Sequence, residues 1–295
     1  MFERETVKAM MTEQVRKTLE RNFANIGTLP AIIGSLVRIL NDPRSSTKDL
    51  AKVISADQVL CSKLLRIVNS AYYNLKQEVI DVKHAISLIG YNTIRCFMFC
   101  ITIFDNAFSL QSGVVFDKEE FWYHSLSTAV ISRKIGERLR LENSQDLFVA
   151  GLVHDIGKVL MLQFMPAKFY RILEIAKREN ISFNDVERKL FCTDHSEIGA
   201  WAMTRWELPD MLIKCVQYHH HALFNTDCAE PHEIVSLADS ITKENEIGFS
   251  GDKISSEYYD ILKWKYNIRQ RWIERALIDV KRETENYADI IGNKK

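Results

Sequence analysis

Apolar residues recur along this chain at helical spacing, and no segment alternates strictly between apolar and polar residues as a half-buried strand would. Near the N-terminus, Val7, Met11, Val15 and Leu19 are spaced by four and form the apolar face of a predicted helix. Only 11 Gly and 5 Pro are spread over the 295 residues, which disfavours a β-sandwich or barrel. The sequence therefore predicts an all-α protein, long enough for a sizeable core.

A polar, glycine-containing stretch, SLQSGVVFD at 109–117, divides the helical pattern into two blocks. The prediction is an N-terminal helical bundle at 1–113 packed on a second helical domain at 114–246, followed by a C-terminal helical extension at 247–295. Two short helices are expected at 46–70, because Ser46 with Asp49, and Ser55 with Gln58, both have the spacing of a capping box.

The numbers of basic and acidic residues are equal, at 39 each. A basic surface supplies most non-specific affinity for nucleic acids, so a dedicated nucleic-acid binder is disfavoured. The longest apolar run, residues 96–104, covers about half of a bilayer crossing, and the N-terminal stretch lacks the apolar segment of a secretory signal. We expect a cytoplasmic protein without membrane contact, whose six cysteines, lacking any Cys-x-x-Cys pair, are reduced thiols.

The segment GLVHDIGKVL at 151–160 places a histidine and an aspartate side by side among apolar residues. Neighbours in a helix point about 100° apart, so both suit one metal centre only if other ligands meet that face. The second block supplies such candidates, including a Glu–His pair four residues apart on one helix face. The candidate ligands are Glu120, His124, His154, Asp155, His195, His219, His220 and Asp239.

Several of these polar groups lie within apolar helices, where a lone buried charge is costly and needs a partner. The alternative is that His154 and Asp155 are merely polar residues of a core helix. Imidazole and carboxylate ligands without thiolate suit iron, manganese or zinc, and a shared aspartate can bridge two ions. Two such ions activate water and polarise a phosphoryl oxygen, while Lys158, one turn after His154, is placed to hold a phosphate charge. Asp155 and Lys158 are therefore the candidate catalytic residues.

The order Glu-x3-His, His-Asp, His, His-His and Asp resembles the HD superfamily of metal-dependent phosphohydrolases. Over roughly residues 20–245, the chain is similar to HDOD proteins, the bacterial relatives of HD and HD-GYP domains. Further segments carry the resemblance: LPAIIGSLVRILNDPRSS, ISADQVLCSKLLRIVNSAYY, AISLIGYNTIR, FWYHSLSTA and DHSEIGAWAMTRWELPDMLIKCVQYHH.

The resemblance assigns a role to each candidate. It implies a core HD signature formed by His124, His154, Asp155 and Asp239. The remaining ligands match the additional ones of HD-GYP phosphodiesterases, which cleave cyclic di-GMP at a centre of two or three metal ions, and these are Glu120, His195, His219 and His220. Lys158 matches the phosphate-facing lysine of that motif. One departure concerns the substrate pocket, because HALFNTDCAEPHEI stands where HD-GYP enzymes have a Gly-Tyr-Pro loop.

Two functions of different classes follow from the resemblance. HDOD proteins resemble regulators of bacterial signal transduction, which predicts a signalling module that binds a protein partner and carries a His/Asp metal centre. The alternative is a metal-dependent phosphodiesterase or phosphohydrolase acting on a cyclic dinucleotide or another nucleotide. A second alternative is an adaptor with an empty, vestigial site. For the first two we expect two transition-metal ions, iron first, with manganese or zinc as alternatives.

Overall fold

The computed structural model describes residues 42, 44–69, 78–91, 116–142, 144–221 and 230–291, together with single positions between 15 and 104. These residues form helices, turns and loops, with no strand among them, which confirms the predicted all-α class. The helices are α1 Thr47–Ser55, α2 Gln58–Val68, α3 Val82–Ile89, α4 Lys118–Arg138, α5 Ser144–Val153, α6 Ile156–Phe164, α7 Pro166–Glu179, α8 Phe183–Phe191, α9 His195–Arg205, α10 Asp210–Tyr218, α11 Pro231–Glu244, α12 Tyr259–Lys265 and α13 Gln270–Ile291.

The long helix α4 is the central element of the second block. Asp117 caps its N-terminus by accepting a hydrogen bond from the Glu120 backbone N–H at 2.9 Å. It packs against α5, α11 and α13, and most of its residues from Phe121 to Gly136 are buried. Gly151 of α5 lets the backbones of α5 and α4 come close together, since a Cβ at this position would lie 2.7 Å from the Cα of Ala129. A helix buried on nearly all sides can carry polar ligands into the core.

The two short helices of the first block are where the spacing predicted them. Ser46 and Asp49 form the predicted capping box at the start of α1. The second predicted capping box is wrong, because Ser55 is the last residue of α1. Asp57 takes its place, accepting a hydrogen bond from the Leu60 N–H at 2.9 Å at the start of α2. Asp57 directly precedes α2 and can serve as its N-cap, whereas Ser55 is already part of α1 and cannot.

The C-terminal extension packs on the rest of the chain. Nη2 of Arg133 in α4 forms a buried ion pair with both carboxylate oxygens of Glu283 in α13, at 3.0 and 2.8 Å. Lys134 pairs with Asp279 one turn away, and α13 also contacts α2 of the first block. Moving α13 away from α4 would leave the buried charges of Arg133 and Glu283 without their partners, which is costly. This ion pair therefore holds α13 along α4.

Several predictions fall on residues outside the described ranges. Most of the first predicted helix is among them, although Val15 is helical and buried. The boundary near 113 also lies there, so the three-part division of the chain stays a prediction. Of the cysteines, Cys61, Cys192 and Cys215 are free thiols, while those at 96, 100 and 228 are not described.

Among the residues that the structure describes, one helical stretch is long and apolar enough to cross a membrane by length and composition. It spans Ser144–Phe164, and 89% of its most apolar window is buried inside the protein. This is the signature of a core element, because a membrane-spanning helix would expose its apolar side chains to lipid.

Gly157 tests how tightly α6 packs on α9. A Cβ at this position would lie 1.8 Å from the carbonyl oxygen of His195. Helix propensity alone favours alanine over glycine, yet we expect Gly157→Ala to lower the free energy of unfolding by about 1–3 kcal/mol, because backbone must shift. Chemical denaturation measures this. Gly136→Ala is the matched control, since its Cβ would meet the movable Cδ1 of Leu147, and equal stability of the two variants would contradict the expectation.

Candidate metal centre

His154 and Asp155 occupy the junction between α5 and α6 rather than the middle of one helix. Asp155 has φ −96° and ψ 15° and precedes α6 without a capping hydrogen bond from its side chain. The turn explains how adjacent residues both serve one site, because neighbours within a regular helix point about 100° apart. Both side chains are buried, at 0% and 2% exposure.

Asp239 of α11 joins His124 and His154 on one side of Asp155. Its Oδ1 lies 3.0 Å from Nε2 of His124 and 3.6 Å from Nε2 of His154. Nε2 of His154 is 3.4 Å from Oδ2 of Asp155. His124, His154 and Asp155 each offer a ligand atom within 4.8 Å of the others. We call these residues, with Asp239, the first ligand group.

Three histidines face the other oxygen of Asp155. Its Oδ1 is 3.1 Å from Nε2 of His195 and 3.6 Å from Nε2 of His219. Nε2 of His195 lies 2.9 Å from Nε2 of His220 and 3.4 Å from Nε2 of His219. Asp155, His195, His219 and His220 form a second ligand group, in which His220 is half-buried and the others are buried. Asp155 therefore belongs to both groups and directs a different oxygen into each.

Three imidazole rings are oriented by hydrogen bonds at Nδ1, the nitrogen on the side away from the cluster. Nδ1 of His154 donates to the carbonyl of Gly151 and Nδ1 of His219 to that of Val216, both at 2.7 Å. Nδ1 of His195 donates to the buried carboxylate of Glu187 at 2.5 Å. A backbone carbonyl can only accept, so Nδ1 of His154 and of His219 carries a proton, and Nε2 is the nitrogen that faces the cluster and can bind a metal ion when it is unprotonated. This arrangement is typical of metal-ligating histidines.

The buried atoms facing one another fit a cation. Within the described structure, four of them have no hydrogen bond of suitable geometry: Nε2 of His124, Nε2 of His154, Oδ1 of Asp155 and Oδ1 of Asp239. Buried polar atoms are normally hydrogen-bonded, because an unpaired one forfeits its solvation. Lone pairs and carboxylate oxygens converging at about 3 Å repel unless a proton or a metal ion lies between them. The residues present therefore fit a transition-metal centre.

Two buried lysines bind the carboxylates of Asp155 and Asp239, the first at the oxygen that also faces His154 and the second at the oxygen opposite the histidines. Nζ of Lys158 lies 2.9 Å from Oδ2 of Asp155, and Nζ of Lys243 lies 3.1 Å from Oδ2 of Asp239. Burial by itself would raise the pKa of Asp155 and Asp239, yet charged neighbours hold both pKa values well below the usual range. These neighbours are His154 and Lys158 for the first carboxyl and Lys243 for the second. Both carboxylates are thus ionised and available as ligands.

The histidines divide into two electrostatic classes. Burial lowers the pKa of His219 to about 4 and also lowers that of His124, so both rings are neutral ligands at pH 7. Burial would lower the pKa of His154 as well, but Asp155 and Asp239 raise it to about 9. Without metal, His154 thus carries the positive charge that the carboxylates require. The first ligand group would hold a metal ion with His154 unprotonated, so metal binding there would release a proton.

The structure brings together seven of the eight predicted ligands. Glu120 is different, because it is exposed in the first turn of α4 and belongs to neither ligand group. Its backbone carbonyl instead accepts a hydrogen bond from the Phe249 N–H at 3.0 Å. The ammonium of Lys158 is 1% exposed and lies on Asp155, so it faces the metal ligands rather than solvent.

Sequence reasoning missed two residues that support the ligands, Glu187 and Lys243. Glu187 lies on the buried face of α8 beside Phe183 and Val186, and a charged residue on an apolar face is the signal that reveals it. Lys243 follows Asp239 at i+4 within α11, the spacing of a helical ion pair.

A small cavity adjoins Asp155 and measures about 10 Å³. That is hardly room for a single water molecule. Phe104 of the first block stacks on Phe121 at 5.6 Å and meets Trp122 edge-on at 5.0 Å, so aromatic rings form much of the wall. The lining residues are Phe104, Phe121, Trp122, Ser125, Leu152, Val153, Asp155, Ile156 and Val159.

The carboxylate of Glu187 provides a test of ligand orientation. We expect Glu187→Gln to weaken metal binding by about 10–100-fold, because the ring of His195 loses its charged acceptor. Competition against a chelating dye measures the affinity. Glu197→Gln is the control, since this buried carboxylate accepts from Thr193 and contacts no histidine. Equal losses in the two variants would mean that any buried acid removed here disturbs the site.

Three relatives show what the chain is similar to. An HDOD domain protein of unknown function from Geobacter sulfurreducens is 25% identical, with a TM-score of 0.65 over 96% of this chain and 99% of its own. A candidate phosphohydrolase from Shewanella amazonensis SB2B is 21% identical, with a TM-score of 0.67 over 93% and 98%. An uncharacterised protein of Treponema pallidum (strain Nichols) is 22% identical over 214 residues, which are 71% of this chain but only 40% of that relative.

The first of these structures shares fold and family with the chain, and the second shares the fold. The family model of the HDOD domain matches residues 26–222, more than half of the chain and all of the His/Asp cluster except Asp239. On this match and on the shared helical architecture, the chain belongs to the HDOD family.

Proposed function

We propose that this chain is a signal-transduction regulator of the HDOD type whose His/Asp cluster holds two transition-metal ions. The observation that carries the proposal is the position of Asp155. Each of its oxygens faces a separate group of imidazoles, and the ligands are buried apart from His220. Two ligand groups sharing one carboxylate suit two ions.

The donor set indicates which ions would fit. It consists of imidazole nitrogens and carboxylate oxygens, without thiolate, a combination that suits iron, manganese and zinc. We place iron first among them. His220 is the half-buried member of the set, and the other ligands are buried.

Burial is what favours regulation over hydrolysis. A nucleotide needs a cleft of about 300 Å³ or more. The cavity beside Asp155 measures about 10 Å³ and is walled by aromatic rings. In the proposed role, the ions and the packing around them set the conformation of the second block. A protein partner in the cytoplasm binds according to that conformation. A nucleotide or cyclic dinucleotide is the other ligand to test.

Hydrolysis is the second candidate, and the bridging position of Asp155 is the observation that favours it. Two ions at such a bridge supply the activation of water and the polarisation of a phosphoryl oxygen. Of the chain's own residues, Asp155 and Lys158 would take the catalytic roles. Lys158 would first have to leave the carboxylate oxygen that it contacts at 2.9 Å. The similar protein from Shewanella amazonensis, described as a candidate phosphohydrolase, is consistent with this alternative.

Metal content is the first test. Protein prepared without oxygen, chelators or a histidine tag should contain about two transition-metal ions per chain by mass spectrometry. Asp155→Ala should lose most of both ions because the carboxylate is shared, and it should melt at a lower temperature because a ligand of the folded state stabilises that state.

His84→Ala is the matched control, since His84 is exposed on α3 and far in sequence from the cluster. It should retain the metal content and melting temperature of the parent protein. A parent protein that takes up neither iron, manganese nor zinc would overturn the metal centre and favour the adaptor with a vestigial site.

Turnover separates the regulator from the hydrolase. We expect the iron- or manganese-loaded protein to release no product from a panel of cyclic dinucleotides and nucleoside phosphates, because the cavity that the described residues form beside Asp155 is too small for them. Chromatography of the reaction mixtures measures this. Product formation that disappears in Asp155→Ala would reverse the assignment and make the chain a phosphohydrolase.

A further inference from the structure

The loop of residues 245–258, which connects α11 to α12, is fastened to the ligand-bearing helix α4. The N–H of Phe249 donates to the carbonyl of Glu120 at 3.0 Å. Gly248 has φ +66°, and a Cβ there would lie 2.4 Å from the backbone nitrogen of His124. Only glycine permits this approach, so the loop contacts the backbone of a metal ligand directly.

A second attachment joins the loop to α8. The carboxylate of Asp252 accepts one hydrogen bond from the N–H of Phe183 at 2.9 Å and another from the N–H of Ile254 at 2.8 Å. Phe183 begins α8, and Glu187 on its next turn holds the ring of His195. The loop therefore contacts the supports of both ligand groups.

Lys243 connects this loop to the metal ligands themselves. Its side chain is 4% exposed, and its ammonium lies 3.1 Å from Oδ2 of Asp239 and 3.6 Å from Oδ1 of Asp252. The opposite oxygen of Asp239 faces His124 and His154. A buried ammonium requires carboxylate partners, and here one partner is a metal ligand while the other belongs to the loop.

We propose that Lys243 is a positioning residue that couples occupancy of the metal centre to the conformation of the 245–258 loop. The inference rests on the proposed function. A metal ion beside Asp239 competes with the ammonium for the charge of that carboxylate. Lys243 then interacts more strongly with Asp252, its longer contact, and the loop tightens onto α4 and α8. The exposed residues of the loop include Glu246, Lys253 and Ile254. A change in the conformation of the loop therefore alters the protein surface.

Hydrogen exchange of the full-length protein tests the coupling. Peptides covering 245–258 are followed before and after anaerobic addition of Fe²⁺ alone, with metal content measured on the same samples. In the parent protein, Fe²⁺ should slow exchange in this loop by about tenfold. Asp252→Asn, which leaves the ligands and Lys243 in place, should still take up Fe²⁺ but show no slowing. Lys243→Met should show no slowing in molecules that have taken up Fe²⁺, whatever its affinity for the ion, and Lys243→Arg, which keeps the charge, should restore the slowing.

Lys253→Met is the matched control, because Lys253 belongs to the same loop but pairs with the exposed Glu246 at 2.7 Å. It should respond to Fe²⁺ like the parent protein. If Lys243→Met fails to fold, Asp252→Asn decides. Uptake of Fe²⁺ without slowing in the parent protein, or slowing that persists in both uncoupling variants, would overturn this inference and leave the metal centre intact. Absence of Fe²⁺ uptake by the parent protein would overturn the proposed function and the coupling with it.

Discussion

The carboxylate of Asp155 is the interaction on which the arrangement of this molecule depends. It is buried, it directs one oxygen to each of two groups of imidazoles, and the ammonium of Lys158 binds the oxygen that also faces His154. A buried carboxylate is stable only when such partners surround it. The helices that supply those partners must therefore converge on the turn between α5 and α6. Close packing of α6 on α9 at Gly157 brings His195 within reach of that turn.

The scaffold fixes each ligand through a neighbour rather than through the cluster alone. Backbone carbonyls one turn earlier in sequence orient His154 and His219, whereas the side chain of Glu187 on another helix orients His195. Support from the same helix follows from local geometry and survives small movements of the fold. Support from another helix depends on tertiary packing. The second ligand group is thus the part of the site that is sensitive to how α8 is held.

Much of this site could be predicted from the sequence, because ligand chemistry leaves a local signal. Histidines and aspartates inside apolar segments are unusual, and seven of the eight predicted ligands meet in space. Glu120 shows the limit of that reasoning. Its spacing from His124 suits a shared helix face, but only tertiary packing decides which turn of α4 reaches the cluster. Glu187, Lys243 and Asp252 were missed because their roles depend on how helices and loops pack. Glu187 meets His195 from a different helix, and Asp252 reaches both Lys243 and the start of α8.

Charge balance explains how such a centre can exist with or without metal. The cluster contains the buried carboxylates of Asp155, Asp239, Glu187 and the adjoining Asp252, together with two buried ammonium groups, those of Lys158 and Lys243. His154, whose pKa its acidic neighbours raise to about 9 against the effect of burial, supplies a third positive charge when no metal is bound. A proton on His154 thus occupies a position that a metal ion would take. We expect such a centre to lose its metal without losing its fold, as a regulator requires and a purely structural metal site does not allow.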